Sequence, residues 1–467
     1  MDTRVVARRD NLEISEDLIR RFDSLGPRYT SYPTADRFHA EFNADSYIRY
    51  LEQRNRSEKR PPLSLYIHVP FCASLCYYCA CNKVITKDRS KSATYLQYLE
   101  KELQLVRAHL TAPEAISQLH LGGGTPTFLS HEEMRQLMTL LRNHFSFTED
   151  AEISIEIDPR TVTAEYLHLL AELGFNRTSL GVQDFDEQVQ QAVHRIQPFD
   201  MVAKCIQQSR DEGFGSINFD LIYGLPKQNL ASFSTTLDRV IELSPARIAL
   251  YNYAHLPTRF KPQRRINEAD LPSAEERLQI FLMSIERLLD AGYIYIGLDH
   301  FAKPDDSLAM AMQDKSLHRN FQGYTTRADC DLIALGLSAI GKLGASYVQN
   351  VRTLDEYYAI LDQGKLPVEK GFDLDNDDLM RREIIMELMC SNSVNFAQIS
   401  SKYQVDFHSY FAVELERLAF FASEGLIAID QNSISVLTKG RMFVRAFAMI
   451  FDKYLAQSSG AKYSKLI

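Results

Sequence analysis

From Leu63 the chain repeats one pattern: a short run rich in β-branched and aromatic residues, a loop holding Gly or Pro, then apolar positions at helical spacing. The apolar runs are 63–69 (LSLYIHV), 116–121, 152–158, 177–182, 216–224 and 246–254, with 293–302 (YIYIGLDHFA) a further candidate. Helices are predicted between them over 93–109, 131–145, 164–173, 184–193, 201–212, 230–243 and 274–291. Such alternation requires parallel strands with right-handed crossovers. The fold class is therefore α/β, a partial or full parallel (β/α) barrel of about six units, whose functional face is the carboxyl ends of its strands.

The pattern divides the chain into an N-terminal arm (1–60), the barrel (61–355) and a mostly helical C-terminal lid domain (356–467). The arm carries a helical stretch over 12–22, the polar, Pro-punctuated GPRYTSYPTADRF at 26–38, and a helix over 44–54. The C-terminal part reads as helices over 379–389, 396–403 and 410–424, a hairpin over 426–437 and a closing helix from Lys439. Helices followed by a hairpin could form a DNA-binding winged helix. From 371 to 467, however, Lys plus Arg number 10 against 12 Asp plus Glu, and no basic face results.

Composition narrows the class. At 467 residues the chain can hold a barrel-sized domain and an appendage, and its net charge of -9 argues against a nucleic-acid binder. No apolar run reaches the ~18 residues of a membrane span. The first residues, MDTRVVARRDNLEISEDLIR, lack a signal peptide's apolar core, so the protein is expected to be cytoplasmic, with its thiols reduced. Cys205, Cys330 and Cys390 stand apart and read as small core residues.

The other four cysteines crowd into ten residues after the first apolar run. Cys72, Cys76, Cys79 and Cys81 are spaced C-x3-C-x2-C-x-C on the loop that leaves the strand at Pro70. Structural zinc sites take two ligands from one knuckle and two from a distant pair, and no second knuckle exists here. An iron–sulfur cube held by Cys72, Cys76 and Cys79 fits better: a loop can wrap three corners, while Cys81, so close to Cys79, has difficulty reaching a fourth. The cube would then have one iron without a protein thiolate.

C-x3-C-x2-C after a strand resembles the cluster loop of radical S-adenosylmethionine enzymes. Cys81, PRYTSYPTADRF at 27–38, HLGGGTPT at 120–127, HLPTRF at 255–260 and HRNFQGYTT at 318–326 narrow the likeness to the oxygen-independent coproporphyrinogen III oxidases, over nearly the whole chain. Ala80 stands where that family often has Gly, and Leu121 where an aromatic residue is common; both leave the ligand set intact.

The resemblance implies one [4Fe-4S] cluster on three cysteines and two molecules of S-adenosylmethionine per chain. It implies a 5'-deoxyadenosyl radical that abstracts hydrogen from propionate side chains of coproporphyrinogen III, which lose carbon dioxide and become the vinyl groups of protoporphyrinogen IX. A reduced carrier such as flavodoxin or ferredoxin would supply the electron, and the chain would act as a monomer. The alternative within the superfamily is a haem chaperone. Such relatives typically lack the fourth cysteine and carry a Trp-containing motif, whereas this chain has Cys81 and no Trp.

By the same resemblance, Gly123, Gly124 and Thr125 take the cofactor's amine, Glu156, Gln183 and Asp220 its hydroxyl and methionine groups, and Arg195 its carboxylate. Each has a bland reading as well: a tight turn for the glycines, a structural salt bridge for Glu156. In EISIEIDP, Glu156 and Asp158 are read as pointing to opposite faces. Tyr66 and Tyr78 border adenine or serve as core, and Ala254 and Ile340 are apolar walls matching positions associated with the two cofactor sites. Cations for the substrate carboxylates are sought among Arg28, Arg259, Lys303 and Arg319. No catalytic residue is assigned, and Cys81 has no role.

Overall fold

The computed structural model describes residues 5–9, 12–22, 25–58, 60–111, 113–327 and 330–455. The chain forms two compact units, each gathered from separated stretches. A sheet unit takes 38–281 and 329–373; a helical unit takes the described residues of 1–37, 282–328 and 374–467.

In the sheet unit six strands follow the repeat: β1 (Leu63–Val69), β2 (Ala115–Gly123), β3 (Ser146–Ile157), β4 (Arg177–Gln183), β5 (Ser216–Tyr223) and β6 (Arg247–Asn252). Each lies parallel beside its predecessor, as in a wound barrel that stays open. Six of the seven residues of β1 are buried, which explains its unbroken apolar run: a parallel strand is covered on both faces. Helices return the chain between strands. Helix His131–His144, for instance, opens on a capping box of Ser130 and Glu133 and buries Met134, Leu137, Met138 and Leu141 at i, i+3, i+4 and i+7.

A seventh parallel strand, β7 (Asp331–Leu335), pairs with the free edge of β1, and β8 (Ile340–Leu343), β9 (Ser346–Asn350) and β10 (Val368–Asp373) continue the sheet antiparallel. The periodicity missed β7 because DLIAL is too short to show alternation and its mate lies far back in the chain.

Other expectations shift locally. The candidate run at 293–302 is two short antiparallel strands, Ile294–Gly297 and His300–Ala302, split by a tight turn with Leu298 at φ 50°. Residues 12–22 divide into a strand, Leu12–Ser15, and a helix, Glu16–Phe22. The helix expected over 184–193 is only Glu187–Ala192, because the Asp186 carboxylate accepts from the Gln188 and Val189 N–H groups and caps it there.

In the helical unit, helices Asn376–Ser391, Phe396–Tyr403 and Ala412–Ser423 accompany a three-stranded sheet. It comprises the expected hairpin (Ile427–Ile429, Ser433–Val436) and an unforeseen third strand, Ser393–Asn395. The described part of the arm up to Arg37 is anchored inside this unit. The Tyr29 hydroxyl donates to Asp452 (2.9 Å), Arg37 to the Tyr454 carbonyl (2.9 Å) and Arg445 to the Pro27 carbonyl (2.8 Å).

Candidate active site

Pro70 ends β1 and the cysteine loop closes on itself. Phe71–Cys72 pairs with Val84–Ile85, the Val84 N–H donates to the Pro70 carbonyl (2.7 Å) and the Thr86 N–H to the Cys72 carbonyl (2.9 Å). Lys83 binds the Cys79 (3.1 Å) and Cys81 (3.3 Å) carbonyls, tying down the loop's end. Cys76 is buried, Cys72 and Cys79 are half-buried, and Cys81 is exposed.

Hydrogen-bond donors, two of them cationic, surround two of the thiols. Arg195 and Arg160 approach the Cys76 sulfur at 3.5 and 3.6 Å, and the Thr125 hydroxyl donates to Cys72 at 3.3 Å. A hydrogen bond from Cys81 and the nearby Lys83 ammonium bring Cys79 down to about 6, while the same bond pushes Cys81 up. Burial raises Cys72 to about 11.

Spacing bears on the choice between zinc and a cube. Four sulfurs at ~2.3 Å from one zinc lie about 4 Å from each other. Among the described residues, the one trio of His, Cys, Asp or Glu ligand atoms lying within 4.8 Å of one another is Asp375, Asp377 and Asp378. At least one pair among the three loop thiols therefore lies more than 4.8 Å apart, wider than two sulfurs on one zinc. The aspartate trio already holds the Lys453 ammonium, at 3.3, 2.8 and 2.9 Å.

The glycines owe their place to packing. A Cβ on Gly124 would lie 2.6 Å from the Pro70 carbonyl oxygen, and one on Gly123, at φ 114°, would lie 2.7 Å from the His68 ring. The turn can thus press against the cluster loop, and the Gly124 and Thr125 N–H groups donate to the Val69 (2.8 Å) and Phe71 (2.9 Å) carbonyls. The Gly123 N–H instead donates to Glu156 (3.1 Å), whose other oxygen faces the His120 ring (3.5 Å). With 46% of its side chain exposed, Glu156 keeps acceptor capacity for a ligand.

Asp158 and Glu156 do not lie on opposite faces. Residues two apart in an extended strand share a face, and β3 stops at Ile157, after which Asp158 turns to Arg160 (2.6 Å) and Arg195 (3.2 Å). Burial would raise Asp158, but the two guanidiniums outweigh it and hold the carboxyl below its usual range. Arg195 is buried, and besides Asp158 and Cys76 it donates to the Gly181 carbonyl (2.7 Å) and Gln197 (3.2 Å). Most of its fork is engaged by protein.

Gln183 and Asp220 are less settled. Gln183 sits at φ 68° with its buried Oε1 accepting nothing, an orphaned acceptor of the kind a bound hydroxyl or amine satisfies. Asp220 accepts from Ser179 and Asn218, both at 2.9 Å, and burial together with the Glu156 charge pushes it up to about 6. Tyr66 bonds His68 Nδ1 (3.0 Å) and stacks on His120. Gln263 donates to both the Tyr78 (3.0 Å) and Ala254 (3.2 Å) carbonyls, bringing those loops together beyond β6. Ile340 opens β8, on the other side of β1. These donors and acceptors, with an orphan among them, fit a polar cofactor beside a three-thiol cluster.

His120, Arg160 and Gln263 went unnoticed in the sequence. His120 stood inside the HLGGGTPT stretch; the other two reach their partners through bends that no periodicity marks. Of the four candidate cations, Arg28 forms an ion pair with Asp299 inside the helical unit, Arg259 is exposed over Phe260, and Lys303 and Arg319 belong to the helical unit.

The open parallel sheet, the three-thiol loop at the end of its central strand and the glycine turn beside it define a radical S-adenosylmethionine protein. The Radical SAM superfamily model matches residues 66–240, and a HemN C-terminal domain model matches residues 374–443. The oxygen-independent coproporphyrinogen III oxidase of Pseudomonas aeruginosa is 48% identical over 460 residues, covering 98% of this chain and all of the relative. That of Escherichia coli is 47% identical over 443 residues, 95% of this chain and 96% of the relative. The solved structure of the Escherichia coli enzyme superposes with a TM-score of 0.90 at 44% identity, over 96% of this chain and all of that one. The chain belongs to the oxygen-independent coproporphyrinogen III oxidases. Its superfamily implies a [4Fe-4S] cluster and S-adenosylmethionine, which the residues above fit.

Proposed function

We infer that this protein converts two propionate side chains of coproporphyrinogen III to vinyl groups, giving protoporphyrinogen IX without oxygen. The observation that carries this is the three-thiol loop packed on the glycine turn, in a chain matched end to end by relatives of that name. The cluster and S-adenosylmethionine together supply a 5'-deoxyadenosyl radical able to take hydrogen from the propionate β-carbon. Each propionate loses that hydrogen, carbon dioxide and one electron.

Cys72, Cys76 and Cys79 hold the cluster, and Arg195, Arg160 and the Thr125 hydroxyl stabilise negative charge on its ligands. Glu156, Asp220 and the Gln183 carbonyl receive the cofactor's amine and hydroxyl donors, and Gly123, Gly124 and Tyr66 frame the same end of the sheet. Tyr78, Ala254 and Ile340 border a second cofactor molecule. A reduced flavodoxin or ferredoxin delivers the electron to the monomer. The haem-chaperone reading is set aside, because relatives spanning the chain carry the oxidase name.

Anaerobic turnover with reductant and coproporphyrinogen III tests this. We expect carbon dioxide, 5'-deoxyadenosine and protoporphyrinogen IX in step. A protein with a full cluster that yields none of the three sinks the reading.

A further inference from the structure

Within the sheet unit a basic strap lies against the cysteine loop. Arg259, Lys261, Arg264 and Arg265 put four cations into seven residues, and from 243 to 267 the chain holds no Asp or Glu. In a protein of net charge -9 this is a local reversal of sign. All four are exposed, and none has a carboxylate within ion-pair distance among the described residues. The acids that follow are engaged elsewhere: Glu268 faces His255 (3.3 Å) and Asp270 holds Lys227 (2.6 Å).

Other side chains fix the strap, which leaves its cations to solvent. Buried Gln263 donates to the Tyr78 carbonyl of the cysteine loop (3.0 Å) and accepts from the Leu256 N–H (2.6 Å). Ile266 packs with Val189, Val193 and Tyr253, against which Tyr77 and Tyr78 also lie. Tyr77 directly follows Cys76, and its N–H donates to the Val193 carbonyl (3.0 Å). Its ring stacks on exposed His194, with centroids 5.1 Å apart, and the Arg265 guanidinium lies over it, 5.4 Å from the centroid. Exposed cations around half-buried rings suit a small, reversible protein contact, in which rim charge speeds encounter more than it tightens the complex. An anionic protein is drawn to this patch and repelled by the acidic remainder of the surface. What it meets there is the residue beside a cluster ligand.

We propose that the strap 259–265 and the Tyr77 ring form the docking surface for an acidic one-electron carrier protein. The docked carrier is oxidised by one electron, and the cluster on Cys72, Cys76 and Cys79 is reduced by one. This rests on the cluster reading given above and adds where its electron enters.

Calorimetric titration of the full-length protein, cluster in place, with oxidised flavodoxin tests it. The wild type should bind about tenfold more weakly or worse as salt rises from about 20 to about 200 mM. The triple variant Lys261→Gln, Arg264→Gln, Arg265→Gln should bind about tenfold or more below wild type at low salt and lose most of the salt response. Lys261→Gln alone, which breaks no hydrogen bond, should cost about twofold to threefold. Turnover driven by dithionite, a small reductant that needs no docking surface, should be the same in all of them. Equal flavodoxin affinity of the triple variant and wild type overturns the docking surface, as does wild-type binding indifferent to salt. So does a triple variant whose KM for coproporphyrinogen III rises under dithionite while its flavodoxin affinity stands, since the cations would then serve the substrate. A protein that binds flavodoxin through the strap but forms no vinyl product with either reductant sinks the functional reading and leaves the docking surface standing.

Discussion

Both ends of the sheet unit bury charge, and they treat it differently. At the amino ends of the strands, Arg54 bonds Glu114 through Nε (3.2 Å) and Nη2 (2.8 Å), forms an ion pair with Asp331 and donates to the Pro61 carbonyl (2.7 Å). That triad is closed. At the carboxyl ends, Glu156 is half open, Gln183 has an orphaned acceptor, and burial keeps Asp220 partly protonated near pH 6. A closed cluster locks strands together; an open one has capacity for a ligand. If that contrast is right, mutations at the two ends should fail differently.

The largest effect belongs to the thiols. Cys72→Ser, Cys76→Ser or Cys79→Ser should abolish vinyl formation and strip most of the iron, while Cys81→Ser keeps its iron because Cys81, two positions after Cys79, has difficulty reaching a fourth corner. Iron and sulfide analysis of anaerobically reconstituted protein decides it, and iron lost equally from Cys81→Ser would make Cys81 a ligand. Next in size is the closed end. Arg54→Met leaves Asp331 buried without its cation and Glu114 with only the longer contact to Arg60 (3.4 Å), and should cost about 3–5 kcal/mol in urea unfolding. A loss under 1 kcal/mol would mean the triad locks nothing.

This contrast also marks what the sequence could disclose. Six parallel strands were legible because each is long and apolar enough to declare its period, and the thiol loop because its spacing is confined to one loop. β7 was not, since DLIAL shows no alternation. The Arg54–Glu114–Asp331 triad was not, since its members are 60 and 277 residues apart from Arg54. The glycine run was read for one reason, a ligand's approach, and the cluster loop's backbone needs the space as well. Long-range closure of charge has no local signature, whereas a strand end and a metal loop do.

A smaller effect concerns pH. Asp220 has its carboxyl raised from 3.8 to about 6, first by burial and then by Glu156. A raised carboxyl favours the folded state while protonated. Its contribution is full below about pH 3.8 and is lost as pH rises through 6, an amount of about 2–3 kcal/mol. Asp220→Asn should flatten the stability of the cofactor-free protein across that window. An unchanged slope between pH 4 and 6 would mean Asp220 titrates as if exposed, and the open end would lose its most strained carboxylate.

The smallest effect is the most discriminating, because it runs in two directions. Gln183 holds a left-handed backbone at φ 68° and buries a carbonyl oxygen with no donor. Both features cost folding free energy, roughly 1 kcal/mol for a non-glycine residue at positive φ and about 1–3 kcal/mol for the unpaired oxygen. Gln183→Gly removes both, so the cofactor-free protein should gain about 1 kcal/mol after the loss of side-chain packing. Affinity for S-adenosylmethionine should fall about tenfold, because the acceptor that waited for its donor has gone. Gln183→Ala separates the two contributions, since alanine deletes the oxygen but keeps the backbone penalty; it should show the weakened affinity with little or no gain in stability. Urea midpoints of cofactor-free protein and equilibrium dialysis of the cofactor provide the two readings. Stability falling together with affinity in the glycine variant would return Gln183 to the class of Arg54, a residue whose polar group serves the fold.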